Sequence, residues 1–235
     1  MNSNLALIFL SCFLLSCGPG AGDSECTECG GGLLDGYLYK EVTVEDLASL
    51  AEIEPSVNIE TDLLIIGGGG AGVSAALALE GAGLTVHLAT KLRLGDSNTV
   101  MAEGGIQAPF GDNDSPRRHF ADAYVGGHGE NEPNLLRVLC ENSVDTIGWL
   151  GKLGCMLDRN KDGTFRLRSG GGTSVPRVLA CKDYTGLEIM RVLKDAVLLS
   201  NTQVLEEYAA VELLDDGEGQ VTGAVLWNRD EGNLI

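Results

Sequence analysis

The chain has 235 residues, 44% of them hydrophobic, which is enough apolar length for one core, and its 33 glycines are too irregularly spaced for a collagen-like polymer. Its 34 acidic residues outnumber 16 basic ones, and the formal charge of -18 repels a phosphate backbone over most of the surface. Nucleic acid is therefore excluded as a partner.

From the N-terminus, Leu5 to Leu15 is an apolar run too short to span a bilayer, ending in LLSC before a Gly and Pro cluster. Residues 1–17 read as an export signal. Its end, Leu14 to Cys17, resembles a bacterial lipobox, although Met1 to Asn4 carries no Lys or Arg. The expectation is an exported protein, periplasmic or attached to the membrane through a lipidated Cys17; the alternative is a cytoplasmic or membrane-associated chain with a start codon placed too early. Residues 18–60 form an extension with one short helix expected at Val44 to Ala51. Of seven cysteines only Cys26 and Cys29 form a C-x-x-C pair. That is half a tetrahedral zinc site, so the pair reads as surface thiols or a local disulfide and no metal is expected.

Residues 61–235 form the folded domain. Thr61 to Ile66 reads as a buried strand and runs into Gly67, Gly68, Gly69, Gly70, Ala71 and Gly72, then an Ala-rich helix and a second strand, Leu84 to Ala89. In such a βαβ unit Gly67 makes the tight turn, Gly69 admits a pyrophosphate and Gly72 lets helix and strand pack closely, with the helix N-terminus facing the anion. This spacing in this context specifies an α/β, Rossmann-like dinucleotide-binding domain with a central parallel sheet. An NAD site expects an acid at the end of the second strand, whereas Thr90 and Lys91 stand there.

Next comes Ser97-Asn98-Thr99-Val100-Met101-Ala102-Glu103-Gly104-Gly105-Ile106, hydroxyls and glycines crowded behind a nucleotide fold. Together with Thr90-Lys91 and with GGGTSVPRVLACKDYTGLEIM, Gly170 to Met190, it resembles the flavoprotein subunits of succinate dehydrogenase and fumarate reductase, and L-aspartate oxidase. There the segment takes the form S-H-T-x-x-A-x-G-G-I, and the later one carries G-G-x-S, Arg and D-x-T-G. The resemblance covers about Asp62 to Val225 and implies FAD as cofactor. It places the diphosphate, ribityl chain and ring along Ser97, Asn98, Thr99, Ala102, Glu103, Gly104 and Gly105, with Ala209 passing the adenine through its backbone. Asn98 stands where many members carry the histidine that bonds flavin covalently, so the resemblance implies non-covalent FAD. It further implies hydride transfer between FAD and a dicarboxylate in a full-length enzyme, with an iron-sulfur electron partner. The capping domain and the residues that bind and protonate the substrate match nothing before Ile235, so the chain is expected to stop short of them and no catalytic residue is assigned. An L-aspartate oxidase-like or other FAD oxidoreductase stays open, as does a non-catalytic electron-transfer lipoprotein.

The remaining elements read structurally. Pro133 to Leu153 is a packing helix closed by Gly154, and Thr185 with Glu188 suggests a capping box for a helix running to about Leu199. Val204 to Leu214 and Val221 to Asn228 are two strands joined by DDGEGQ, part of a small antiparallel element. His119 and His128 read as loop histidines, solvated or hydrogen-bonded, Arg117 with Arg118 as a solvated pair, and His87 as a strand residue satisfied locally.

Overall fold

The computed structural model describes Pro55 and residues 57–235. The export signal with Cys17, the Cys26 and Cys29 pair and the helix expected at Val44 to Ala51 lie outside these residues.

Strand β1, Leu63–Ile66, passes through Gly67 to Gly69 into helix α1, Gly70–Ala78, and the chain returns as β2, Val86–Thr90. Parallel pairing runs from Leu63 with Val86 to Ile66 with Ala89. The other edge of β2 pairs in parallel with β5, Gln203–Glu206, giving the order β1-β2-β5. One face of this sheet is closed by α1 and by α4, Thr185–Leu199, whose Met190, Leu193 and Val197 share a core with Ile65, Val73 and Leu88. The α/β reading with a central parallel sheet holds.

Between β2 and β5 the chain forms a second layer. β3, Ile106–Gln107, pairs antiparallel with β4, Val178–Leu179, and two helices, α2, Pro116–Gly126, and α3, Pro133–Lys152, pack beside them. Helix α3 follows the expected bounds. The Glu132 carboxylate accepts the Leu135 amide at its start, and Gly154, at φ +90°, turns the chain away at its end.

Four readings need correction. RRHFAD is helical: Ser115 caps α2 by accepting the Arg118 amide at 3.1 Å, and Pro116 supplies the first helical position. The expected strand Val204 to Leu214 is two strands, β5 in the parallel sheet and β6, Tyr208–Asp215, in a hairpin with β7, Val221–Asn228. Glu207 makes the elbow between them at φ +62°. The capping box does not form, because Tyr184 holds the cap position without a side-chain bond and Glu188 instead accepts the Met156 amide and pairs with Arg191. Finally, the Nδ1 atom of His87 is buried with no hydrogen-bond partner, so that residue is not satisfied locally.

Candidate functional site

The glycine turn sits at the C-terminal edge of the parallel sheet, where ligands of such sheets bind. Gly67 takes φ +118°, a conformation that L side chains rarely adopt, and its amide donates to Ala89 at 2.8 Å. Gly72 allows the closest approach in this turn. A Cβ there would stand 1.9 Å from the Gly67 carbonyl oxygen and 3.3 Å from Ile65 Cγ2, so only glycine lets α1 seat against the turn and β1.

Gly69 holds the N-cap position of α1 and has no side chain of its own to cap the helix. The amides of its first turn have no intrahelical acceptor and carry the positive end of the helix dipole. One of them, Gly70, donates to Thr99 Oγ1 at 3.1 Å. A Cβ on Gly69 would lie 3.3 Å from Ser97 Cβ and 3.7 Å from Thr99 Oγ1, so the glycine turn packs directly against the hydroxyl segment and a side chain there would press on Ser97. Thr90 is buried with its hydroxyl turned toward Gly68, whereas Lys91 is exposed beside it.

The hydroxyl segment is held from behind. The Gly186 amide donates to the Ala102 carbonyl at 2.7 Å, Thr185 Oγ1 donates to the Glu103 carbonyl at 3.4 Å, and a Cβ on Gly186 would come within 1.8 Å of the Thr99 carbonyl. The start of α4 is therefore docked on residues 99–103, leaving Asn98, Ala102, Glu103, Gly104 and Gly105 exposed on the other side. Thr185 thus serves this contact rather than a cap. Gly105, at φ +141°, leads into β3, and a Cβ there would stand 2.5 Å from the Leu179 carbonyl. Ala209 lies two residues beyond the elbow, paired with Trp227 in the hairpin, and the Glu207 amide beside it donates to the Leu92 carbonyl at 3.4 Å. The structure thus brings the glycine turn against Ser97 and Thr99, with residues 102–105 following them, while Ala209 stays in the hairpin, tied to the segment after β2 through the Glu207 elbow.

Beyond Gly105 a cavity of about 820 Å³ opens between the β3 segment and helices α2 and α3, lined among others by Gln107, His119, Asp122 and Asn142. Behind it lies a buried charge cluster. Arg177, fully buried, bonds Asp114 through Nε and Nη2 at 2.9 Å each and Asp122 through Nη2 at 2.9 Å. Asp122 also accepts the Ser174 amide and hydroxyl, and these bonds, with Arg177 beside it, hold its carboxyl below the usual range. His119 is 3% exposed, and burial, aided by Arg177, pushes its imidazole below the usual histidine value. It is not a solvated loop residue, because the helix turns it inward. His128 is exposed, and the Arg118 guanidinium bonds the Asn113 carbonyl. Among the described residues no group of three or more His, Cys, Asp or Glu is placed to hold a metal ion, and no helix is long and apolar enough to cross a membrane.

Compared with known proteins, residues 62–235 match the family described as FAD binding domain. The chain belongs to that family. L-aspartate oxidase of Streptomyces coelicolor is 35% identical over 179 residues, covering 76% of this chain and 31% of that protein. The succinate dehydrogenase flavoprotein subunit of Rickettsia felis is 32% identical over 183 residues, covering 74% and 30%. Among solved structures, a quinol fumarate reductase chain from E. coli superimposes with a TM-score of 0.70 at 31% identity, over 75% of this chain and 31% of its own length. The chain thus spans about a third of the length of the curated relatives it matches.

The residues of this FAD binding domain fit the cofactor that its family names. A glycine turn opening a helix N-terminus, with the hydroxyls of Ser97 and Thr99 beside it, suits a diphosphate, and exposed Gly104, where a Cβ would meet nothing within 4 Å, leaves room for a flat ring. Exposed Asn98 offers an amide nitrogen, whose lone pair is delocalised into its carbonyl, and so no nucleophile for a covalent bond to flavin. Two parts of the arrangement escaped the sequence reading, the Arg177 cluster and the docking of Gly186 on residues 99–103.

Proposed function

We propose that this chain holds FAD non-covalently for a flavin-dependent oxidoreductase of the succinate dehydrogenase, fumarate reductase and L-aspartate oxidase group, acting on a dicarboxylate. The observation that carries this reading is the glycine turn at the start of α1 held directly against the hydroxyl-bearing Ser97 and Thr99. There the first-turn amides of α1 bind the diphosphate, and Thr99, already fixed by the Gly70 amide, presents its hydroxyl at the same place. The segment from Ala102 to Gly105, backed by Thr185 and Gly186, orients the ring-bearing half. When bound, FAD supplies the group that accepts or donates hydride at the dicarboxylate carbon. In the complete flavoprotein, electrons would pass to or from an iron-sulfur partner, and substrate carboxylates would be met by residues other than those described. The apolar run before Cys17 supports export and lipid attachment as the location.

Gly69→Val tests the reading. The branched side chain would press on Ser97 and Thr99 and crowd the start of α1, so purified variant protein should lose its yellow colour and most of its FAD affinity while keeping the circular dichroism of the unaltered chain. A variant that retains a full complement of FAD refutes the assignment of this turn.

A further inference from the structure

We propose that Glu206 is a positioning residue for the adenosine half of FAD, bracing the segment after β2 from the neighbouring strand; the proposal rests on the FAD reading above. Dinucleotide folds use the end of the second strand and the residues after it for the ribose and adenine, commonly through an acid on that strand. Here Thr90 and Lys91 occupy that place, and Thr90 is committed to the side of Gly68. The acid at this edge of the sheet comes from the next strand. Glu206 is the parallel partner of Thr90, and its Oε1 accepts the Leu94 amide at 2.7 Å.

The brace has further ties on the same segment. The Glu207 amide donates to the Leu92 carbonyl at 3.4 Å, and Arg229 Nη1 donates to the Lys91 carbonyl at 2.7 Å while pairing with Glu207 Oε2 at 2.9 Å. Arg229 is itself fixed, its amide donating to the Glu207 carbonyl at 2.8 Å. Glu207 adopts φ +62°, rare for a residue with a side chain, and at this elbow the Glu206 carboxylate and the Glu207 amide bear on residues 91–94 directly, the Glu207 carboxylate through Arg229. Leu94 is buried, so its amide has little access to water and needs the carboxylate. The arrangement sets the height of Lys91 and Leu92 over the sheet edge before any nucleotide arrives, and it places the start of β6, with Ala209, against the same segment. Preorganisation of that kind lowers the ordering cost of binding at the adenosine end and leaves the ring end untouched.

Full-length protein carrying Glu206→Ala and Glu206→Gln should be compared with the unaltered chain by titration with FAD and with ADP, and by hydrogen exchange without nucleotide. Glu206→Ala should weaken both ligands by about tenfold, the scale of one charge-assisted hydrogen bond, and deprotect the Leu94 amide while the β1 and β2 amides stay protected. Glu206→Gln keeps a carbonyl that can accept the Leu94 amide and should restore both readouts to within about twofold of the unaltered chain. Unchanged affinity in Glu206→Ala, loss of FAD binding with ADP binding intact, or a glutamine variant as weak as the alanine one would each overturn the proposal. If the unaltered chain bound neither nucleotide, the FAD reading would fall instead, and an unprotected Leu94 amide in that chain would independently remove the brace.

Discussion

Arg177→Met should be the most damaging single change away from the glycine turn. The substitution roughly conserves side-chain length but withdraws the cation from Asp114, 1% exposed, and from Asp122, 16% exposed. Leaving a buried carboxylate without its partner costs about 3–5 kcal/mol, against a total stability of about 5–15 kcal/mol for a domain. With a urea dependence of about 2.5 kcal/mol per molar for a chain of this size, the midpoint of unfolding should fall by about 1.5 M at neutral pH. Circular dichroism at increasing urea reads this directly. Arg177→Lys should lie between, because an ammonium can meet one carboxylate but loses the two-pronged grip on Asp114. Arg177→Met combined with Asp114→Leu should recover at least half of the loss, since the cost lies in the stranded anion rather than in missing volume. A midpoint shift below about 0.3 M for Arg177→Met would refute the reasoning and show that water reaches the carboxylates.

Other outcomes follow from the same features. Acid precipitation of flavin-loaded protein should leave the yellow colour in the supernatant, because Asn98 cannot form the covalent bond; a pellet fluorescent under ultraviolet light would contradict this. The folded-state values of His119 and Asp122 are both depressed, so the unfolded chain binds more protons and stability falls on acidification. The histidine contribution should fade first, below about pH 6.5, and the carboxylate contribution below about pH 4, with His119→Gln flattening only the first window in urea melts taken across pH. Burial pushes the Cys155 thiol up to about 11, so peptide mapping after iodoacetamide treatment at neutral pH should find it unmodified in folded protein and modified in urea. Palmitate labelling should mark the chain and vanish in Cys17→Ala, and a soluble, unlabelled product would remove the lipid anchor.

What could be read in advance depended on sequence distance. The glycine turn, its helix and β2 lie within one short stretch, and each residue there is constrained by its neighbours, as Gly72 is by Gly67. Helix α2 was equally local, and its Ser115-Pro116 start was a usable signal that the charged RRHFAD run obscured. The Arg177 cluster was not readable, because Asp114 stands 63 residues away and nothing in either stretch selects the partner. The elbow at Glu207 was hidden for a related reason. Val204 to Leu214 has the composition of one strand, and tertiary bonds hold a glutamate in a left-handed conformation there, its amide donating to the Leu92 carbonyl and its carbonyl and carboxylate accepting from Arg229.

The distance between β2 and β5 also governs the order in which the domain can assemble. The bond from Leu94 to Glu206 closes a loop of 112 residues, and the chain entropy of bringing such ends together is about 4 kcal/mol, so this strand joins late. During synthesis, β1, α1 and β2 emerge with the whole glycine turn long before Glu206 does. Until then β2 is an edge strand of apolar residues with its hydrogen-bonding groups open to any passing strand. Nascent chains stalled within α4 should therefore aggregate, and in a cell they should depend on chaperones more than the finished chain does.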